Sequence, residues 1–476
     1  MNPLTRFQTS ILLATFLAAW DSTVVGTIGP TIARHLPGIA LYPWMLTGFM
    51  IATTVVAPIF GRLADRFEPG FLYRLAIGLF VIGSLGSAAA QNMTLFVAAR
   101  VLQGTGAGGI FTLGLILMGR QFMGLDRVRM QGRLSAMWGL AGVLGPTLGG
   151  LVAQWSSWRL LFLINIPLGI IAAAFVSAEH RKSKGTTAYS PIDGWGAAFL
   201  AVWITLGLAA LTVFRQNSEM VWGWILLGLA VLAIIVWLKI ENRTVEPLIP
   251  LHWLRNFSIV GPVALALIAS GSLYGAALVI PLWVQMAFHY APFATGLILL
   301  PLPVGWALGS MLAKPLLTRF SFRAVQRYGV IGILAGFLVF QSTTQGSAWT
   351  WMIAVGDGIL GGGVGLVIMT TLVTVQSIVS PTQIGAATGL YNLARNLGNA
   401  LGPGIMGGLI LIFWRQTPVS VAHAIGRLDS FSLSAAIHTV FWGVVVIAAA
   451  LLVLVQRMPH PQAKIFTEHS QMNSES

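Results

Sequence analysis

The chain has 476 residues, of which 56% are hydrophobic and only 8% charged, with a mean hydropathy of +0.82 and no cysteine. Soluble domains devote about a quarter of their residues to charge, so this composition excludes a soluble protein, and the missing cysteines exclude disulfides and thiolate metal sites. The formal charge of +14 invites a nucleic-acid reading, which the placement of the basic residues removes.

Apolar runs between polar breaks predict fourteen helical spans, near 8–33, 42–61, 72–91, 94–119, 134–154, 159–177, 192–214, 221–240, 257–288, 292–313, 326–344, 349–374, 383–413 and 432–456. A bilayer crossing takes roughly 20 residues of helix. Several runs are longer, which predicts tilt or kinks, and Pro30, Pro58, Pro146, Pro281, Pro301, Pro303 and Pro403 mark kink sites. The first run is too long, and too polar at Asp21, to read as a cleaved signal peptide. With the amino terminus in the cytoplasm, loops on that side hold 20 of the 27 basic residues. The opposite loops hold five (Arg34, Arg159, Arg215, Arg415 and Arg427), while Arg100 and Arg395 fall in or near spans. Basic residues concentrate on the cytoplasmic side of membrane proteins, so both termini are expected there. The excess charge orients the chain and implies no nucleic-acid partner.

Span one carries Asp21, span four Arg100 and span twelve Asp357. A charge at such depth costs a few kcal/mol or more unless it is paired or faces water, and by default it marks a proton or substrate site. Asp21 reads as a protonatable coupling group, or as a permanent partner of Arg100 that fixes helices one and four. Burial favours the neutral carboxyl and a nearby guanidinium the ionised one, so alternation between such environments would take up and release a proton. Asp357 reads as a second proton site, a cation-binding carboxylate, or a group that faces water without function. Gly104-Thr105-Gly106-Ala107-Gly108-Gly109 matches a dinucleotide fingerprint in form only, since it lies in a membrane helix with no preceding strand. Small residues there serve close helix approach. No Walker sequence, His-Glu-x-x-His or Gly-x-Ser-x-Gly occurs, so no enzyme, metal site or cofactor is expected.

The chain also repeats itself. Gly145-Pro146-x-x-Gly149-Gly150 returns, with one extra residue, as Gly402-Pro403-x-x-x-Gly407-Gly408, and Gly104-x-Gly106-x-Gly108 as Gly361-x-Gly363-x-Gly365. Arg66-Phe67 returns as Arg319-Phe320 and Pro30 as Pro281. The matches are collinear, so six spans repeat after eight. This predicts two six-helix bundles related by an axis along the membrane normal, with a midplane cavity between them. The expected parts are an N-terminal bundle over 1–180, two inserted helices over 181–256, a C-terminal bundle over 257–456 and a tail over 457–476. Arg100 and Asp357 occupy equivalent positions, the counterpart of Asp21 is Ser272, and counting helical rise puts the three charges at one depth.

These residues resemble the major facilitator superfamily, in its 14-span drug:proton antiporter branch. Gly61-Arg62-Leu63-Ala64-Asp65-Arg66 is similar to the superfamily's cytoplasmic loop signature, although Glu68-Pro69-Gly70 replaces its usual glycine and basic residues. Arg100-Val101-Leu102-Gln103-Gly104 resembles the fourth-span motif. Gly142-Val143-Leu144-Gly145-Pro146-Thr147-Leu148-Gly149-Gly150 resembles the fifth-span antiporter motif, with Ala141 in place of one glycine. Trp20-Asp21-Ser22-Thr23 and the run from Ser157-Trp158-Arg159 to Asn165-Ile166-Pro167 resemble the drug exporters.

The resemblance implies export of lipophilic, often cationic compounds in exchange for protons across a bacterial cytoplasmic membrane. It implies small-molecule partners within lipid, protons as the coupling ion and a functional monomer. Asp65 and Arg66 are then expected to lock a cytoplasmic gate, with Arg120 as a partner for Asp65, and Gly145, Pro146, Gly149 and Gly150 to pack or hinge span five. Trp20, Gln103, Trp138, Tyr274, Trp283 and Gln285 are candidates for an aromatic-polar cavity, each with a core or lipid-facing alternative. His289 and His438 read as structural. The scaffold also admits export of one specific metabolite, lipid or siderophore, or a sensor or assembly protein that transports nothing.

Overall fold

Long apolar runs in lipid have one way to satisfy their backbone without water, which is to form helices. The computed structural model describes residues 3–38, 41–122, 124–176, 193–215, 220–244, 247–288, 290, 292–343, 351–416 and 428–458. Among them the regular elements are all helical: α1 (Pro3–His35), α2 (Tyr42–Arg66), α3 (Pro69–Ala89), α4 (Met93–Gln121), α5 (Gly124–Trp155), α6 (Arg159–Leu163), α7 (Asn165–Phe175), α8 (Gly194–Arg215) and α9 (Met220–Arg243). There follow α10 (Phe257–Ala287), α11 (Pro292–Leu299), α12 (Pro301–Leu317), α13 (Phe322–Gln341), α14 (Trp351–Ile378), α15 (Ile384–Gln416) and α16 (Leu428–Gln456). Short 3-10 turns precede α10 and α15.

Among the described residues nine helices are long and apolar enough to cross a membrane, with two shorter apolar helices at Arg159–Phe175 and Gly194–Ala210. That is fewer than the fourteen expected. Two expected spans are interrupted, at Ile164 between α6 and α7 and at Leu300 between α11 and α12, where Pro301 at the first turn suits a fresh helix start. α1, α5 and α15, which stand at three further expected positions, run 33, 32 and 33 residues.

The helices pack into two units. One comprises Met1–Met123, Leu140–Val260 and Val375–Asn396; the other Gly124–Gly139, Gly261–Thr374 and Leu397–Ser476. In the first unit α4 lies between α2 and α3, α7 lies on α1 and α3, and α8 pairs with α9 and touches α2. The apolar stretch of α9 is only 22% buried, against 78% for α14, so α9 is a lipid-facing helix and α14 a core helix. In the second unit Val128 of α5 joins Ala313, Leu317, Phe322, Val325, Met369 and Val373 in one apolar cluster.

Glycines set the contacts of the two central helices, and they do so twice. A Cβ on Gly104 would meet the Phe49 carbonyl of α2, one on Gly108 the Thr53 carbonyl, and one on Gly106 the Phe80 amide of α3. In the second unit Gly361 meets the Leu302 carbonyl of α12, Gly365 the Trp306 carbonyl, and Gly363 the Ile333 amide of α13. Each partner in the second set lies 253 residues after its counterpart in the first. Gly83 against Gln103 and Gly336 against Leu360 complete the correspondence. The sequence repeat is thus a repeat of helix packing, and it makes Arg100 and Asp357 structural equivalents.

Because the obstructing atoms are backbone, Gly106→Ala and Gly363→Ala are each expected to lower stability by about 1–3 kcal/mol, read as a drop in the unfolding midpoint in detergent. Gly78→Ala, where a Cβ meets nothing within 4 Å, serves as the control and is expected to be neutral or mildly stabilising.

Candidate functional site

α4 begins at Asn92, whose side-chain oxygen accepts a hydrogen bond from the Leu95 amide at 2.8 Å. Two turns on, Arg100 points into the first unit with no exposure, beside an Asp21 that is 2% exposed. Arg100 Nη1 donates to Asp21 Oδ2 and, at 2.6 Å, to Gln103 Oε1. Gln103 Nε2 donates to the other Asp21 oxygen at 2.8 Å and to Ser84 Oγ on α3 at 2.6 Å. Asn165, the first residue of α7, donates to Ser84 Oγ at 2.8 Å and reaches Asp21 Oδ1 at 3.4 Å. Ser87 donates to Gln103 Oε1 at 3.4 Å, and the Phe49 ring lies 4.2 Å from the guanidinium carbon.

Five helices therefore converge on one carboxylate. A buried ion pair repays its desolvation only when the leftover lone pairs and protons are also bonded, and both Asp21 oxygens are. Arg100 is less complete: among the described residues its Nε and Nη2 have no hydrogen-bond partner. The carboxylate is thus tightly held while its cation keeps spare donors, so neutralising Asp21 would loosen α1 from α3, α4 and α7 together.

A second charged cluster closes one end of the same unit. Asp65, near the end of α2, accepts the Gly385 amide on Oδ1 and the Ala386 amide on Oδ2, each at 2.8 Å. It also accepts Arg120 Nη2 at 2.7 Å. Those amides belong to the first turn of α15, whose free N–H groups and positive dipole end suit a carboxylate. Gly61 makes the approach possible, since a Cβ there would sit 2.5 Å from the Gly385 carbonyl. Arg120 Nη1 further donates to the Ala64 carbonyl at 2.9 Å, and Arg66 is the last residue of α2.

Comparison with known proteins decides the family. The family model of the Major Facilitator Superfamily matches residues 11–403. The chain belongs to the Major Facilitator Superfamily. It is a multi-pass membrane transporter and not an enzyme. It is 27% identical over 414 residues to the multidrug transporter protein MdtP of Bacillus subtilis, covering 85% of this chain and 75% of that one. It is 27% identical over 405 residues to the multidrug efflux pump SdrM of Staphylococcus aureus, covering 85% and 89%. Among solved structures, the human organic anion transporter MFSD10 aligns with a TM-score of 0.67 at 15% identity, over 95% of this chain and all of that one, a likeness of fold.

Within this superfamily member the other expected site residues part ways. Asp357 belongs to the second unit, Asp21 and Arg100 to the first. Asp357 has no exposure, and neither of its oxygens has a hydrogen-bond partner among the described residues. Its surroundings explain this: Ser84, Ser87 and Gln103 of the first unit are replaced at the equivalent positions by Phe337, Phe340 and Leu360. Phe337 and Phe340 pack with Phe441 at 5.2 and 5.4 Å. Ser272, the counterpart of Asp21, bonds its own helix at the Ile268 carbonyl.

Trp283, a cavity or core candidate, is fully buried, with its indole N–H on Ser434 Oγ at 3.0 Å and its ring 5.2 Å from His438. His438 has the partner the sequence did not reveal, Gln341 Oε1 at 2.6 Å from Nδ1. Gln285 is exposed on α10 and Tyr274 half-buried. Trp20 is 7% exposed and lies beside Phe16, while Trp138 pairs with Trp306 at 5.8 Å. Gly145 and Gly149 let α5 approach Thr23 and Val24 of α1, where Thr23 Oγ1 donates to the Ala141 carbonyl at 3.0 Å. Pro146 and Gly150 lie on the same helix with side-chain surroundings outside the described residues, as is all of His289. Sequence reasoning missed Ser84, Ser87, Asn165 and Phe49 as site residues. The available signal was Asn165, an amide opening the otherwise apolar run Asn165-Ile166-Pro167-Leu168-Gly169-Ile170-Ile171.

Proposed function

We propose that the protein is a proton-coupled antiporter that exports lipophilic small molecules, cationic compounds among them, across a bacterial cytoplasmic membrane by alternating access. The observation that carries the coupling is Asp21, a buried carboxylate bonded to Arg100 and Gln103 of α4 and Asn165 of α7, and linked through them to Ser84 of α3 and the Phe49 ring of α2. Protonation would remove the charge that Arg100 and Gln103 hold, release the helices they join, and favour the state that discharges substrate outward. Loss of the proton inward would rebuild the network. The relatives named as multidrug transporters support export of lipophilic compounds, and the concentration of basic residues in one set of loops supports cytoplasmic termini.

Asp357 is a second candidate for protonation, because a buried carboxyl without partners is tolerated as the neutral acid. The same reading takes the helices as fourteen spans, Asp65, Arg66 and Arg120 as a cytoplasmic gate, and a single chain without cofactor as the working unit.

Reconstitution into liposomes with an imposed pH gradient tests it. Ethidium is expected to move against the gradient in the parent and to lose pH-driven movement in Asp21→Asn. Unchanged movement in Asp21→Asn would sink the coupling role. Failure of the parent to move ethidium or any other lipophilic dye would favour a dedicated metabolite exporter or a sensor.

A further inference from the structure

Arg100 has Asp21 and Arg120 has Asp65, but an arginine inside α15 pairs with no carboxylate among the described residues. Arg395 sits eleven residues into α15, roughly 16 Å along the helix from its start. No carboxylate pairs with it among the described residues, and its Nε has no hydrogen-bond partner there. One turn earlier on the same face, Asn392 is 1% exposed. Its amide nitrogen is anchored on Thr112 Oγ1 of α4 at 3.2 Å, and its carbonyl oxygen is left without a partner. On the neighbouring face, Asn396 donates to the Thr53 carbonyl of α2 at 3.5 Å. α15 is therefore held against α2 and α4 by its asparagines, while Arg395 Nε and Asn392 Oδ1, one turn apart on the helix, have no hydrogen-bond partner among the described residues.

An arginine side chain keeps its charge in proteins and presents a planar fork of donors matched to oxyanions. A permanent cation at membrane depth with no internal counter-charge is a functional site by default. Arg395 is only half-buried, hence open to a ligand.

We propose that Arg395 and Asn392 form a recognition site for an oxyanion, so that the transporter accepts lipophilic carboxylic acids carrying a nearby N–H or O–H. The oxyanion lies on the Arg395 fork, and the adjacent donor satisfies the Asn392 carbonyl. This rests on the exporter reading for its biological meaning but not for its test, which is binding.

Dansyl-phenylalanine, whose sulfonamide N–H is one carbon from its carboxylate, and its methyl ester are titrated into purified protein in neutral detergent, with tryptophan-to-dansyl energy transfer as the readout and ethidium as a cationic reference. The acid is expected to bind the parent more tightly than its ester. Arg395→Gln is expected to weaken the acid roughly ten- to hundredfold and to leave ester and ethidium unchanged. Arg395→Lys is expected to fall between, and Asn392→Ala to weaken the acid several-fold. A parent that binds acid and ester equally, or an Arg395→Gln that weakens all three ligands alike, overturns the proposal. Loss of acid binding when phosphatidylglycerol is added overturns it in favour of a lipid headgroup at the same arginine. If Arg395→Gln fails to fold, the Arg395→Lys and Asn392→Ala titrations decide, since a structural role for these residues predicts no separation of acid from ester. Arg395-dependent acid binding combined with no pH-driven movement of any compound would sink the exporter reading and leave this site standing.

Discussion

Arg100→Met is expected to lower the stability of the protein in detergent by about 3–5 kcal/mol, the usual consequence of leaving one member of a buried ion pair alone. The magnitude follows from the completeness of the network on the carboxylate side. Asp21 has two oxygens bonded to Arg100, Gln103 and Asn165, and without the guanidinium those neutral donors must hold an unbalanced charge that no water reaches. The double variant Asp21→Asn, Arg100→Met is expected to recover most of the loss, because the pair is then replaced by a neutral amide and a side chain of similar length. A thermal-unfolding double-mutant cycle checks both statements. Additive losses in the double variant would show that the two residues do not act as a pair, and with that the coupling role of Asp21 would lose its physical basis.

Asp65→Ala is expected to free the start of α15 by about 3 kcal/mol. Three donors lose their acceptor at once, two of them amides of the first helical turn and the third Arg120, and bonds to a charged group contribute about 1.5–3 kcal/mol each, less than additively when they share one acceptor. The native chain contains no cysteine, so a single Ala387→Cys reports on this contact without background. Ala387 is fully buried, and a water-soluble maleimide is expected to react slowly with Ala387→Cys alone. With Asp65→Ala added, the rate is expected to rise by roughly one to two orders of magnitude, the opening ratio that such a loss allows. Equal rates in the two backgrounds would remove Asp65 from any gating role.

What could be read from residue order alone follows a physical divide. Helices were legible because lipid leaves the backbone no other choice, and the repeat because glycines at fixed spacing record where one backbone touches the next. The pairing of Asp21 with Arg100 was legible because two opposite charges in hydrocarbon must find partners. Ser84 and Asn165 were not, since a serine or an amide in a membrane helix is satisfied in many ways and only the fold brings these two onto one carboxylate. Trp283 was left between two environments for a related reason: an indole suits a cavity wall as well as a core, and its contact with Ser434 spans 151 residues. The hold of Asp65 on Gly385 and Ala386 joins loci some 320 residues apart, beyond any local pattern. The count of fourteen spans is not confirmed: among the described residues nine helices are long and apolar enough to cross, while the expected spans near 159–177 and 192–214 appear as the shorter apolar helices Arg159–Phe175 and Gly194–Ala210.

The glycine contacts shared by the two units carry a historical reading. Contacts of α2 and α3 recur at a spacing of 253, whereas the glycines of α4 recur in α14 at 257, so four residues were gained or lost between the third and fourth helices of one copy. The difference falls between Gly83 and Gln103 in one copy and between Gly336 and Leu360 in the other. Descent from a duplicated ancestor explains both facts: the length drifted while the contacts within each set of helices kept their spacing. Over the same interval a serine pair became a phenylalanine pair and an arginine faced an aspartate across the copies. Selection held the places where backbones touch and let the side chains between them diverge, leaving a bonded carboxylate in one copy and an aromatic cluster in the other.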